Sequence, residues 1–452
     1  MLKITSPGFF YKNQIKFLMF ISINFIIQHV LSQDSLLTYE DAVQIAVEQN
    51  VVIRQQKNQL KLNKAEQQQN IANYLPDFNA TATANRTLGR HWVNEQSRFV
   101  TSATNVAGYS VGTNIVLFNG LRNYYSLKQT NQLYAAQKNQ VEQSIQDVIF
   151  QTSQQFLQIL LDKELLRIAE ENLEVQKRLY NQIETYVKLG TRTTSELITQ
   201  KAQLQVAEVN LIQRKNSLSS DKAFLARTLL FEPMKGFDIA YIGWNIDDVL
   251  NLQLNIDSLI ETAKISSPEL KRLEAIRKSS KTGIHLSRTQ LMPNLTGFFQ
   301  SRSGYSSGDT INSFQWQIFD MNVSQQFGFS LNIPIFNRLQ ARTNIVRSKI
   351  DYENSDLQYI DAEQQLIIDI QRAYQDLISF KYSYIANTEL EEAAKMAFER
   401  QTELYQMGRG SLTELNIENQ RYIQAQSERI QAEFTLLFQK IILDYHVGTL
   451  NY

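Results

Sequence analysis

Residues 186–197 read YVKLGTRTTSEL and residues 405–415 read YQMGRGSLTEL. Each segment places a glycine, Gly190 or Gly408, after a long stretch that holds neither glycine nor proline. Hydroxyl residues follow, then a glutamate and a leucine. Glycine takes up the left-handed conformation that ends a helix at little cost. Thr193, Thr194 and Ser411 are candidate caps for a second helix. Glu196 and Glu414 then fall in its first turns, where a carboxylate meets the positive end of the helix dipole. Both segments therefore read as tight turns between two helices.

The flanks of these turns extend the reading. Leu121–Leu189 and the stretch from Thr191 up to Pro233 lack Gly and Pro, as do Ile335–Met407 and Ser411–Val447. Helix breakers are confined to the joints. Ile145, Ile149, Thr152, Phe156 and Ile159 recur at alternating steps of four and three, and Ile367, Ile370, Tyr374 and Leu377 follow the same rule. That spacing is a coiled-coil seam. A helix of nearly 70 residues is about 100 Å long at its standard rise.

The turns are one pair among several. Tyr74-Leu75-Pro76 answers Leu291-Met292-Pro293, and Val116-Leu117-Phe118-Asn119 answers Pro334-Ile335-Phe336-Asn337. Phe156, Ile159 and Lys163 answer Tyr374, Leu377 and Lys381. The offset stays at 217 to 218 residues throughout. The chain reads as a duplication of one unit: a helix, two strands, then two long helices. Two copies are too few for an open solenoid.

The strands are expected near 76–86, 108–118, 293–302 and 323–334. Phe78, Ala80, Ala82 and Ala84 alternate with polar neighbours. Tyr109, Val111, Ile115 and Leu117 do the same, as do Phe327, Phe329, Leu331 and Ile333. Only 295–302 is less clean, because Phe298 and Phe299 are adjacent. Period two means one apolar and one polar face. Strands of about 9–11 residues suit a tilted crossing of a bilayer, and a one-sided soluble sheet has the same pattern. Four spanning strands cannot close a barrel, and lipid forbids open edges. Two chains would give a filled pore and three a wider lumen.

Composition narrows the function. The 452 residues carry 45 basic and 45 acidic side chains. Residues 1–32 read as a signal peptide: Lys12 and Lys16 precede the apolar run Phe17–Ile27, and Val30 and Ser32 suit cleavage before Gln33. Lys3, Lys12 and Lys16 are the only charges in the first 33 residues, so their loss leaves 42 basic against 45 acidic. Nothing there suggests a nucleic-acid partner. Cysteine is absent, which removes thiolate metal sites and lipoprotein acylation. The histidines His29, His91, His285 and His446 lack ligand spacing, and no phosphate-cradling loop occurs. No enzyme activity, metal or cofactor is expected. Arg90, His91 and Trp92 are placed in the loop of the first hairpin and Trp316 in that of the second.

The order signal, helix, two strands, two long helices, repeated, resembles the TolC family of outer-membrane efflux proteins. Leu37-Thr38-Tyr39-Glu40-Asp41-Ala42, with Ala46 and Asn50, is similar to that family's first helix. Leu75-Pro76, Leu117-Phe118-Asn119-Gly120 and the two turns also fit. The resemblance implies a homotrimer with a 12-stranded barrel in outer-membrane lipid and a long periplasmic helical barrel. Residues 33–232 would form the first repeat, 233–254 an equatorial linker and 255–452 the second repeat. A periplasmic adaptor and an inner-membrane pump are the implied partners, and the chain would be the exit duct for efflux or secretion. Gly190, Thr191, Arg192, Thr194, Gly408, Arg409, Gly410 and Ser411 would dock the adaptor, while Glu196, Glu414 and Glu418 would line the entrance. Ile417 stands where the best-known members carry a second acid. Arg192 and Arg409 could clamp the closed tip by pairing with neighbouring helices. A stand-alone passive porin and an exported coiled-coil structural protein are the competing readings.

Overall fold

The computed structural model describes residues 36–93, 97–231, 237–240 and 245–450. The proposed signal segment 1–32, and Pro233, Gly236, Gly243 and Trp244 of the linker, lie outside the described residues. The chain runs α1 (Tyr39–Gln49), α2 (Val51–Ala72), β1 (Asn79–Val93), β2 (Arg98–Phe118), α3 (Arg122–Lys188) and α4 (Thr194–Thr228). It continues with α5 (Ile246–Leu250), α6 (Ile256–Ser266), α7 (Pro268–Arg288), β3 (Asn294–Ser306), β4 (Ser324–Asn332), α8 (Gln340–Gln406) and α9 (Leu412–Val447). Every long stretch free of Gly and Pro became a helix. Both α3 and α8 have 67 residues, and α4 and α9 have 35 and 36.

The helix expected before each strand pair is two helices. Asn50 leaves α1 with extended backbone, and its Oδ1 accepts the Val52 amide at 2.8 Å, which caps α2. Ser267 does the same for α7, its Oγ accepting the Leu270 amide at 3.3 Å with Pro268 as first helical residue. The residue before a proline is pushed out of helical geometry, and a polar side chain that bonds its own backbone breaks a helix without glycine.

The sheet is antiparallel with order β1-β2-β3-β4. It is longer than expected. The first hairpin runs to Val93 and Arg98 instead of ending near 86 and 108, and Arg90, His91 and Trp92 belong to β1, opposite Thr101, Val100 and Phe99. Strand β3 reaches Ser306, while β4 is trimmed to 324–332. Main-chain pairing continues where no face is apolar, so alternation marks only part of each strand. Trp316 ends a helical turn, Phe314–Trp316, between β3 and β4.

Register joins the separate alternations into one surface, because paired residues point to the same side. Ala80 faces Val111, Ala82 faces Tyr109, Ile115 faces Gly297, and Phe299 and Leu331 face Phe327 and Leu295. Phe298 is on the opposite face, where a Cβ on Gly328 would lie 3.1 Å from its ring. The adjacent phenylalanines therefore serve two faces. Among the described residues the helical segment after β3 meets this face at Ser303 and Tyr305, and the rest of it is bare: Phe327 and Phe329 are 82% and 78% exposed.

The chain forms two compact units that each draw on both halves. The unit of 54–144 and 267–366 holds the sheet and polar helix contacts. Asn70 accepts from Ser126 and donates to Thr130, and the Thr282 hydroxyl donates to Gln132 at 2.8 Å. The unit built from the described residues of 1–53, 145–266 and 367–452 is more apolar. Ile149, Thr152, Phe156 and Ile159 of the expected seam are buried, as are Ile370 and Leu377. Tyr39 of α1 meets Phe156 edge-on and shares a 2.8 Å hydrogen bond with Ser153.

Candidate functional site

Both turns close in the same way. Gly190 and Gly408 have φ of +76° and +75°. The Gly190 amide donates to Val187 and the Thr191 amide to Tyr186, both at 3.0 Å. Gly408 donates to Tyr405 and Arg409 to Leu404 in the same pattern. These pairs form the Schellman motif, which satisfies carbonyls that a helix end leaves bare. Thr193 and Ser411 then open α4 and α9 with capping boxes: each hydroxyl accepts the glutamate amide, and the carboxylate of Glu196 or Glu414 accepts the cap amide. Thr194 is the first helical residue and not a cap.

Beneath the turns lies a shared core. Ile183, Tyr405, Leu412 and Leu415 are buried together, with Leu179, Val187, Leu197 and Phe398 against them. Arg192 stacks its guanidinium 4.7 Å from the Tyr405 ring centre and pairs with Glu196 at 3.2 Å. The first turn is thus fastened onto the helix that leads into the second. The ion pair of Arg192 is with its own helix, and only the ring contact reaches another.

The second turn has different chemistry. Arg409 is exposed, and none of the described side chains pairs with it. A Cβ on Gly410 would meet Gln401 Nε2 at 2.9 Å and the Tyr405 amide at 3.0 Å, so this glycine is needed for space. Exposed Glu414 accepts from the Ser411 amide at 3.2 Å and from Gln401 at 3.1 Å. Hydrogen bonds from the Ser411 backbone and side chain hold its carboxyl below the usual range. Glu418 is half-buried and bound to Arg421 at 2.6 Å, one turn further along α9.

Two lysines that the sequence marked only as repeat landmarks have a defined use. Lys163 donates to Asp238 at 3.1 Å and to the Ile239 carbonyl at 3.2 Å. Lys381 donates to the carbonyls of Leu250 and Leu252 at 3.1 and 3.0 Å. At matching places in α3 and α8, each lysine holds a piece of the segment between the halves. Their shared offset was the available signal.

Among the described residues no helix is long and apolar enough to cross a membrane, and no group of three or more His, Cys, Asp or Glu side chains could hold a metal. The family model described as outer membrane efflux protein matches residues 42–229 and again 259–444. No curated protein matches in sequence. Solved structures agree in fold at low identity. CusC is 16% identical, with 91% of this chain and 92% of that chain covered and a TM-score of 0.78. VceC of Vibrio cholerae is 12% identical, with 91% and 96% covered and a TM-score of 0.76. The MtrE channel of Neisseria gonorrhoeae, in its open state, is 16% identical, with 91% of each covered and a TM-score of 0.75.

Proposed function

The chain belongs to the outer membrane efflux protein family, and from that premise we propose that three copies close one channel that serves as the exit duct of a pump. Efflux or secretion through the outer membrane is the function, and the family is one of transport channels rather than enzymes. The observation that carries the trimer is the sheet. One chain offers four strands with an exposed, largely apolar face, and β1 and β4 are left as edges. In lipid each unpaired edge amide costs several kcal/mol. Edge-to-edge closure of three copies gives twelve strands, satisfies every edge and turns the apolar face to the acyl chains.

The duplication belongs to the same proposal. The constant offset, the equal helix lengths and the twofold match of one family model support it. So does the division into repeats 33–232 and 255–452, with 233–254 between them and 1–32 removed on export. The turns around Gly190 and Gly408 then form the periplasmic tip that meets an adaptor and, through it, an inner-membrane pump. Leu189 and Met407, at equivalent places beside the two glycines, are 70% and 65% exposed. Exposed apolar side chains beside main chain already satisfied within the turn suit end-to-end docking. Thr191, Arg192, Thr194, Arg409, Gly410 and Ser411 complete that surface, and Glu196, Glu414 and Glu418 line the entrance.

Cross-linking and mass measurement of the detergent-solubilised protein are expected to give three chains, with the mature terminus near Gln33. A well-behaved folded monomer would overturn the barrel.

A further inference from the structure

A cleft of about 690 Å³ lies where α3, α4 and α9 meet, lined by Gln158, Asp162, Arg214, Ser217, Asp221 and Gln431 among others. Asp162 is only 4% exposed. Its Oδ1 accepts from Gln158 at 3.3 Å, while its buried Oδ2 receives no N–H or O–H donor from the described residues. Asp221 lines the same cleft, and its carboxyl is the neighbouring acid that raises the value of Asp162. Two carboxylates that share one cleft repel, and each is the wrong partner for the other unless one carries a proton.

The nearby cations do not resolve this. Lys163 and Lys222 follow the two aspartates in sequence, yet both are bound to Asp238, at 3.1 and 3.0 Å. Arg214 of α4 is the remaining charge near Asp162, and no ion pair within 4 Å joins it to either carboxyl. From α3 the cleft receives Gln158, and from α9 Gln431 and Thr435, none of them charged. Two negative charges against one positive leave a deficit of one, which a proton fills and a divalent cation would exceed.

The second half supplies a control. At the 218-residue offset, Asp162 corresponds to Phe380 and Asp221 to Gln439, whose amide donates to the Ala373 carbonyl at 2.9 Å. The packing of the corresponding helices α8 and α9 requires no carboxyl at either place. A carboxyl pair confined to the first half has a use beyond filling space.

We propose that Asp162 and Asp221 form a proton-sharing site that makes the α3–α4 packing sensitive to pH. Burial first, then the hydrogen bond and charge of Asp221, raise the Asp162 carboxyl to about 6. A folded value above the ordinary one means folding takes up a proton between the two. The stabilisation is therefore full in acid and is lost as pH rises through about 6. Below that value the proton on Asp162 bridges to Asp221 and fastens the helices; above it that proton leaves and the contact loosens.

The test uses the full-length protein in detergent. The thermal midpoint of the wild type is expected to fall between pH 5 and 7.5, and Asp162→Asn should flatten that fall. His446 is the control: burial lowers its own value, so its contribution to stability rises with pH, opposite in sign to that of Asp162, and His446→Gln is expected to leave the fall in place. A fall that persists in Asp162→Asn, or that disappears only in His446→Gln, would overturn the proposal. So would a neutral-pH midpoint restored by calcium or magnesium, which would make this a cation site. If Asp162→Asn does not fold, infrared difference spectra of the wild type decide. A protonated-carboxyl band is expected to titrate near pH 6 and to move to lower pH in Asp221→Asn. Its absence from the wild type, or an unshifted titration in Asp221→Asn, counts against the pair.

Discussion

The two helix turns share one main-chain design and differ in what hangs from it. Both use a left-handed glycine, a Schellman closure and a capping box. Around Gly190 the charged side chains fold inward: Arg192 covers Tyr405 and holds Glu196. Around Gly408 they face out: Arg409 has no side-chain partner among the described residues and Glu414 is exposed. The backbone fixes where a turn occurs, and the side chains decide whether it is a fastened joint or a working face. On the proposed reading, the first turn would serve as the joint and the second as the docking face.

The largest effect should come from the residue both turns rest on. Tyr405 is 3% exposed, and Tyr405→Ala is expected to cost about 3–5 kcal/mol by denaturant unfolding. Val187, its counterpart at the same offset, is half-buried and should cost less than half as much. Tyr405→Phe sharpens the point. The hydroxyl is buried with no partner among the described residues, so its removal should be neutral or slightly stabilising. A marked loss would mean that the hydroxyl is bonded in the assembled channel.

The glycines come next, and here the turns should separate by mechanism. Gly410→Val drives a β-carbon into the Tyr405 main chain, with an expected cost of about 1–3 kcal/mol. Gly190→Val and Gly408→Val meet no neighbouring atom within 4 Å and should cost about 1–2 kcal/mol each, from the left-handed conformation alone. Trimers should survive either cap substitution while adaptor-dependent efflux fails. Normal efflux in both would reduce the glycines to plain caps.

The two arginines test inward against outward directly. Arg192→Ala loses a ring contact and a partly buried ion pair, about 1 kcal/mol together. Arg409→Ala should leave stability within about 0.5 kcal/mol, as an exposed substitution does. Equal losses would erase the distinction between joint and face.

How much of this was legible beforehand depended on the range of the interaction. Residues without Gly or Pro gave the four long helices because helix breaking is local. The caps were readable because Thr193 and Glu196, like Ser411 and Glu414, lie three apart. The break at Asn50 was missed because an asparagine that caps its successor resembles any polar helix residue. The outer part of the first hairpin was missed because Arg86–His91 carries no alternation, and main-chain pairing leaves no trace in side-chain polarity. Arg192 over Tyr405 joins segments more than 200 positions apart, and no spacing rule reaches that far. Asp162 and Asp221 stand 59 positions apart on two helices, and no spacing rule joins them either.

The smallest expected effect is on Glu414, and it is one of selectivity. Its carboxyl is held below the usual carboxylate range by hydrogen bonds from the Ser411 backbone and side chain. A depressed value means the capping contribution is present above the ordinary carboxylate value and is lost only as pH falls through the lowered one. At neutral pH Glu414 is therefore fully charged, and its exposure leaves that charge open to the solution. If three copies face one entrance, the negative potential there adds up and concentrates cations. Glu414→Gln keeps the shape and a capping acceptor while removing the charge, so single-channel cation preference should fall with the trimer intact. Glu196→Gln should change selectivity less, because Arg192 already neutralises that carboxylate at 3.2 Å. Equal shifts in the two variants would show that the inward pair does not shield its charge from the lumen. No shift in either would take both glutamates out of the entrance and leave them as caps.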